Sequence, residues 1–217
     1  MSALLVFSKT TGYRHDSIPA GVTALRAIGT DLGLAVEATE DATAFTPDNL
    51  HRYAAVVFLS TSGDVFDDAQ RGALEGYVRR GGGFVGIHAA STTEYGWPFF
   101  GQLVGARFDG HPPVQEATVI VEDGSHPATA HLDARWVLVD EWYEFTDDPR
   151  PRVNVLLSVD EATYEGGSMG AGHPIAWHHR VGDGRCFYTA LGHLSETYSD
   201  PDFRTHLAGG IRSVRRQ

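Results

Sequence analysis

Histidine is frequent in this chain and often stands where a folded protein could use it. The sequence has 11 histidines in 217 residues. An imidazole can transfer protons near pH 7, and it can also bind a metal ion or a substrate oxygen. The histidines in predicted loops or at predicted strand ends are His15, His88, His111, His178, His179 and His193. No HxxxH, HExxH or Cys–His pattern of metal ligands is present. We therefore predict a site without metal or cofactor, and a site for a divalent metal ion is the alternative.

His88 occupies the most informative of these positions. The segment Gly86–Ala90, GIHAA, ends a predicted buried strand and surrounds the imidazole with small residues. A tight strand-to-helix elbow needs small neighbours, and a nucleophile normally occupies it. We predict that His88 transfers a proton or binds a ligand. The alternative is a core histidine that is hydrogen-bonded to the backbone.

The segment Asp140–Phe145, DEWYEF, places carboxylates beside aromatic rings. In a strand, Glu141 and Tyr143 would point to one side and Trp142 to the other. Aromatic rings can stack on a sugar while carboxylates bind its hydroxyl groups, which favours a carbohydrate ligand. An exposed acidic edge with its aromatic residues packed inward is the alternative. We predict Glu141 as an orienting or general-base carboxylate and Trp142 as a stacking face.

A third cluster follows the last predicted strand, in Ala190–Tyr198. We predict that both His193 and His88 take part in proton transfer. Glu196 could form an acid–base pair with His193, and the alternative is that Glu196 is an exposed loop residue without a role. The predicted substrate-binding residues are completed by Tyr13, Arg14, His15, His111 and Trp177.

The elements that would position these residues alternate between apolar strands and amphipathic helices. Continuously apolar strands are predicted at 3–7, 54–59 and 84–87, with helices at 17–32 and 67–80 between them. This order predicts right-handed βαβ units and a parallel sheet covered on both faces. The second half is richer in strands, with predictions at 117–121, 136–139 and 153–159, a hairpin turn at 181–184 and a final helix at 202–215. One α/β domain over residues 1–217 with a β-rich second half is predicted.

Composition limits the classes of partner. The formal net charge is −11, which disfavours nucleic acid and anionic membrane surfaces. The sequence has no apolar run long enough for a membrane helix and no secretory leader pattern. Its one cysteine, Cys186, cannot form an intramolecular disulfide. We therefore expect a cytoplasmic protein with a small-molecule partner, and a homodimer is a reasonable expectation.

Several segments together resemble the trehalose-utilisation, or ThuA-like, family. The resemblance spans nearly the whole chain and rests on YRHDSI (13–18), GGGFVGIHAAS (81–91), GHP (110–112), DEWYEF (140–145), PIAWHHRVGDGRCFYTALGH (174–193) and AGGIR (208–212). It implies a flavodoxin-like, three-layer fold similar to class I glutamine amidotransferases, with a mostly parallel sheet. In those relatives a cysteine stands at the elbow, whereas this chain has His88 there. Imidazole cannot form the thioester, so glutamine hydrolysis by that route is excluded.

The resemblance implies a role in the metabolism of a disaccharide, a sugar or a keto-sugar. Combined with the residues above, it predicts an acid–base enzyme without a cofactor, in which His88, His193 and Glu141 are catalytic. Two other hypotheses stay open at this point: a metal-dependent hydrolase that uses the same histidines, and a non-catalytic sugar-binding or partner domain.

Overall fold

The computed structural model describes residues 3–216, which form a mixed nine-stranded sheet with helices. The strands are β1 Ala3–Phe7, β2 Ala35–Thr39, β3 Tyr53–Leu59, β4 Gly83–Ile87, β5 Phe108–Gly110, β6 Gln115–Val121, β7 Arg135–Asp140, β8 Glu144–Phe145, β9 Asn154–Val159, β10 His173–Val181 and β11 Gly184–Thr189. The helices are α1 Ile18–Asp31, α2 Pro47–Leu50, α3 Asp68–Arg79, α4 Pro98–Val104 and α5 Pro201–Val214. The large sheet has the order β2-β1-β3-β4-β11-β10-β9-β6-β7, and β5 pairs with β8 in a separate ribbon.

The parallel half of the sheet contains β2, β1, β3, β4 and β11. Every residue of β3 and β4 is buried, as expected for strands that are covered on both faces. The strands from β10 to β7 pair antiparallel, which corresponds to the β-rich second half predicted from the sequence. The prediction of an α/β fold is confirmed.

The predicted helices form close to their predicted bounds. Helix α3 begins after Asp67, whose side chain accepts a hydrogen bond from the Gln70 amide in a reciprocal capping box. The last helix spans Pro201–Val214 instead of 202–215, because Asp200 caps it one residue earlier than expected. None of the helices in residues 3–216 is both long and apolar enough to cross a membrane.

The hairpin of β10 and β11 brings two distant loops together. Val181 pairs with Gly184 across the predicted turn, and β11 continues as a parallel neighbour of β4. Because Thr189 lies opposite Ile87, the residues that follow these two strands leave the sheet side by side. The register therefore places the loop of His88 beside the loop that leads to His193.

Ser17 connects a further loop to the same edge. It stands at the N-cap position of α1, but its side chain makes no capping hydrogen bond, and its backbone is in the helical region. Its hydroxyl donates instead to the carbonyl of Gly192 at 3.1 Å. The residue therefore ties the loop after β1 to the loop after β11.

Candidate active site

Three imidazoles meet at the carboxyl edge of the parallel strands. His15 follows β1, His88 follows β4 and His193 follows β11. The Nε2 atom of His88 lies 3.1 Å from Nε2 of His15 and 3.3 Å from Nδ1 of His193. Convergence at this edge is typical of ligand sites in open α/β sheets.

Glu141, directly after β7, adds a carboxylate to the three imidazoles. Its Oε2 atom lies 3.0 Å from His193 Nδ1 and 3.4 Å from His88 Nε2. One ligand atom from each of His15, His88, His193 and Glu141 lies within 4.8 Å of the others. We call these four residues the histidine–glutamate centre. On its outer side, Oε1 of Glu141 lies 3.1 Å from Nδ1 of the half-exposed His111.

The surrounding chain fixes the ring of His88. Its backbone has a φ of 51°, in the left-handed region that histidine adopts less readily than glycine. The Tyr188 hydroxyl donates to its carbonyl at 2.8 Å, and the Tyr143 ring stacks on its imidazole at a centroid distance of 4.2 Å. Its Nδ1 lies 2.6 Å from the carbonyl of Ala190. Since a carbonyl only accepts, Nδ1 carries a proton, and the other ring nitrogen, Nε2, points into the centre.

Asp140 holds two of the converging loops in place. It is fully buried, and Oδ1 accepts hydrogen bonds from the backbone amides of Glu141 and His193 at 2.8 and 3.0 Å. Its Oδ2 accepts from the Gly192 amide at 2.9 Å. Gly192 has a φ of 114°, a conformation that only glycine adopts easily. One carboxylate thus sets the backbone positions of both Glu141 and His193.

The four residues do not share one protonation behaviour. Burial, followed by repulsion from His88 and His193, lowers the pKa of His15 to about 3. Burial raises the pKa of Glu141, but the hydrogen bonds of His193 and His88 and their charge outweigh it and leave that pKa far below its usual range. The hydrogen bond with Glu141 raises the pKa of His193 in spite of its burial. At neutral pH, Glu141 is anionic and His15 is neutral, and the carboxylate of Glu141 favours the protonated form of His193.

The centre lies at a cleft of about 550 Å³. Tyr13, Phe108 and Tyr143 give it aromatic surface, and Ser62 and Thr92 add hydroxyl groups. His111, Glu141 and His193 also line it. The cleft is large enough for a small polar ligand and combines apolar walls with a few convergent polar groups.

Most of the residues predicted from the sequence lie in this cleft. His88, His193 and Glu141 form the centre as a set, and His15 belongs to it directly instead of lying among the hydroxyl-binding residues at the rim. Tyr13 and His111 line the cleft. Glu196 is exposed at the start of a 3₁₀ helix, Glu196–Ser199, and the carboxylate partner of His193 is Glu141 instead.

Three predicted binding residues lie elsewhere. Arg14 forms an exposed ion pair with Glu40, with 2.7 Å between the charged atoms, and does not line the cleft. Trp142 and Trp177 are 1% and 0% exposed, so neither offers a face to a sugar. The Trp177 indole donates to the Val104 carbonyl at 2.8 Å within the core. These assignments are corrected because the side chains are committed to packing or to other partners.

Three further residues of the site, Tyr143, Phe108 and Asp140, are not among those predicted from the sequence. The alternation in Asp140–Phe145 did contain the signal for Tyr143, because it placed Tyr143 on the side of Glu141 and Trp142 on the opposite side. The structure follows that alternation, with Glu141 and Tyr143 at the cleft and Trp142 in the core. Glu141 and Trp142 therefore cannot both face the cleft.

Comparison with known proteins identifies relatives of the whole chain. Residues 3–213 match the family model for trehalose utilisation, ThuA. A ThuA-like protein from Bacteroides uniformis is 26% identical, with a TM-score of 0.81, over 97% of this chain and 90% of that one. A ThuA-like protein from Parabacteroides merdae is 20% identical, with a TM-score of 0.81, over 100% and 92% of the two chains.

More distant structures share only the fold. A β-galactosidase from Bacillus circulans sp. alkalophilus is 13% identical, with a TM-score of 0.62, over 99% of this chain and 31% of that one. None of the curated proteins matches this chain. The similarity to the ThuA-like structures confirms the flavodoxin-like and amidotransferase-like expectation for the fold. On the match over residues 3–213, the chain belongs to the trehalose-utilisation, or ThuA-like, family.

Proposed function

We propose that the protein is an enzyme that moves a proton on a sugar or keto-sugar bound in the cleft. The observation that carries this proposal is the convergence of three imidazoles and one carboxylate, from four separate loops, at the floor of an accessible cleft. A packing role would not require so many ionisable groups at one point, because each costs free energy to bury.

His193 and Glu141 are suited to act as a proton-transfer pair. Glu141 lies 3.0 Å from Nδ1 of His193, an arrangement that orients the ring and stabilises its protonated form. The other ring nitrogen, Nε2, makes no hydrogen bond within residues 3–216, and the side chain is 21% exposed at the cleft. Nε2 is therefore the nitrogen that would reach a substrate.

A keto-sugar suits these groups because a C–H bond beside a ketone is acidic enough for a protein base. In the proposed step, His193 takes the proton from that carbon, and the electron pair of the C–H bond moves towards the carbonyl oxygen. His111 lies near enough to Glu141 to hold that oxygen, and return of the proton to a neighbouring atom completes an isomerisation. The aromatic walls of the cleft and the family membership support a sugar as the ligand.

The test is a panel of trehalose, maltose, glucose and their keto derivatives, followed by NMR in D₂O. The proposal predicts that solvent deuterium enters the carbon beside the ketone of one panel member, and that Glu141→Gln abolishes this exchange. Calorimetry on the same panel reports binding separately. Binding without exchange or product formation would overturn the enzyme proposal and support a sugar-binding domain. The homodimer and the cytoplasmic location expected from the sequence stay predictions.

A further inference from the structure

The donor atoms of the histidine–glutamate centre are spaced like the ligands of a single metal ion. For metal–ligand bonds of about 2.1 Å, the edges of a tetrahedron are about 3.4 Å long. The distances from His88 Nε2 to His15 Nε2 and His193 Nδ1 are 3.1 and 3.3 Å. The distances from Glu141 Oε2 to His193 Nδ1 and His88 Nε2 are 3.0 and 3.4 Å. Four of the six distances between the donor atoms thus match the edges of such a tetrahedron, and all six are within 4.8 Å.

Hydrogen bonds alone leave part of this arrangement unexplained. Nε2 of His88 has three polar atoms within 3.4 Å: one from His15, one from His193 and one from Glu141. A ring nitrogen can accept one hydrogen bond through its lone pair, or donate one when protonated. At least two of the three contacts are therefore not hydrogen bonds to this atom. A cation between the groups would satisfy all four donor atoms at once.

Further hydrogen bonds fix the positions of these atoms, as is usual for metal ligands in proteins. The Nδ1–H of His88 donates to the Ala190 carbonyl, which fixes the tautomer with the Nε2 lone pair directed inward. Asp140 holds the backbone of both Glu141 and His193. The ligands come from four segments, so the folded chain has to assemble them, and the strained backbone of His88 is consistent with a position fixed for function.

We infer that His15, His88, His193 and Glu141 bind one divalent transition-metal ion. Three imidazoles and one carboxylate suit Zn²⁺, Fe²⁺, Co²⁺ or Ni²⁺, whereas Mg²⁺ and Ca²⁺ prefer a shell of oxygens. The partly exposed edge of His193 leaves a side of the centre that faces the cleft, where a substrate oxygen could approach the ion. The ion would polarise that oxygen in place of a protonated His193.

This inference goes beyond the proposed sugar chemistry and can fail independently of it. In the metal-bound protein, His193 and Glu141 are ligands and not the proton pair. His111 is half exposed and lies 3.1 Å from Glu141, so it is then the remaining imidazole at the cleft that could accept the proton.

The experiment measures metal binding without any sugar. Untagged protein is purified without added metal, analysed for its elemental content, freed of metal by a chelator and titrated with Zn²⁺ and Co²⁺ by calorimetry. We expect one saturable site per chain and a higher melting temperature when the metal is bound. The Co²⁺ complex should show the visible absorption typical of four-coordinate sites. His88→Asn and the isosteric Glu141→Gln should each weaken binding at least 100-fold.

The control is His178→Asn, which removes a histidine outside the centre and should leave affinity and stoichiometry unchanged. Circular dichroism identifies any variant that does not fold, and Glu141→Gln then decides the result, because it changes no side-chain volume. The absence of saturable binding, or an affinity that neither variant lowers, would overturn the inference. Metal binding without sugar conversion would keep it and reject the proposed function, whereas sugar conversion by a protein that shows no saturable metal binding would do the reverse.

Discussion

The molecule contains two groups of histidines, and only one of them is built as a site. The second group consists of His126, His178 and His206. The His126 and His178 rings stack at a centroid distance of 4.7 Å, and His206 Nδ1–H donates to the Ala128 carbonyl at 2.8 Å. The Ala128 amide donates in turn to His126 Nδ1 at 3.2 Å. These imidazoles bind the backbone and each other's faces, so they stabilise the packing of α5 and the loop before β7.

Perturbed pKa values do not separate the two groups. Burial lowers the pKa of His126 and of His206 to about 4, close to the value of about 3 for His15. The groups differ in what their ring nitrogens face. In the centre, the ring nitrogens lie close to one another and to a carboxylate. Within residues 3–216, the centre is the only set that gathers three or more metal-ligating groups in this way. A functional histidine is therefore recognised by which of its nitrogens lack a backbone partner and where they point.

The largest expected difference between the groups is in turnover. His88→Asn should reduce conversion of the sugar substrate by about a thousandfold, since loss of a group from an acid–base or metal centre removes transition-state stabilisation. Asparagine tolerates the left-handed backbone of position 88, so the variant should fold. Initial rates on the converted sugar measure the loss.

His206→Gln is the matched control in the second group, because it also replaces a buried imidazole with an amide. It should retain wild-type turnover once its folded fraction is accounted for. Equal losses in the two variants would mean that burial, and not convergence, explains the effect at position 88.

The second group should also contribute to stability in acid. The pKa of His206 is about 4 in the folded protein, against 6.5 as its ordinary value. Between these values the unfolded chain binds a proton that the folded chain does not, so the free energy of unfolding falls as the pH drops below 6.5. This residue alone should account for roughly 2 kcal/mol between pH 7 and pH 5.

Urea unfolding at the two pH values measures this change. His206→Gln has no such proton to bind, so its stability should depend less on pH than that of the wild type. An equally steep dependence in the variant would show that the pH sensitivity arises elsewhere.

Asp140 is expected to act on the centre without touching a substrate. In Asp140→Asn, an amide group replaces one oxygen and can no longer accept from all three backbone amides that Asp140 now binds. The resulting shift of Glu141 and His193 should weaken Zn²⁺ binding about 10- to 100-fold, the size usual for groups that support metal ligands. A lower melting temperature with unchanged metal affinity would show that Asp140 stabilises the fold and does not position the metal ligands.

The smallest effect should distinguish an aromatic ring at the cleft from one in the core. Tyr13 is 69% exposed and lines the cleft, so Tyr13→Ala should raise KM for the sugar about three- to tenfold with little change in kcat. Trp177→Phe should lower the melting temperature, since Trp177 is buried, and leave KM unchanged. A KM that rises only in the Trp177 variant would contradict the corrected assignment of these residues.

Much of the fold could be predicted because its signals are local. The apolar runs of β1, β3 and β4 and the capping sequence before α3 determine their elements without reference to the rest of the chain. The hydrogen bond of Ser17 could not be predicted in this way, because its partner, the Gly192 carbonyl, is 175 residues away in the sequence. Local patterns carry no information about such a contact.

The centre was predictable to the extent that strand ends converge in a parallel sheet. This rule selected His88 and His193, and the acidic motif selected Glu141. The position of His15 inside the centre, instead of at its rim, depends on how the loop after β1 packs against β4, which no spacing reveals. Trp142 and Trp177 were misassigned because aromatic residues suit both sugar stacking and core packing, and only burial separates the two.

The most direct test of the central claim is whether His88 and Glu141 act as one unit. Turnover of the converted sugar is measured for His88→Asn, Glu141→Gln and the double variant. Residues of one catalytic centre are strongly non-additive, so the double variant should be no more than a few times slower than the worse single variant. Losses that multiply in the double variant would show that the two residues act independently, and would contradict a single reactive centre.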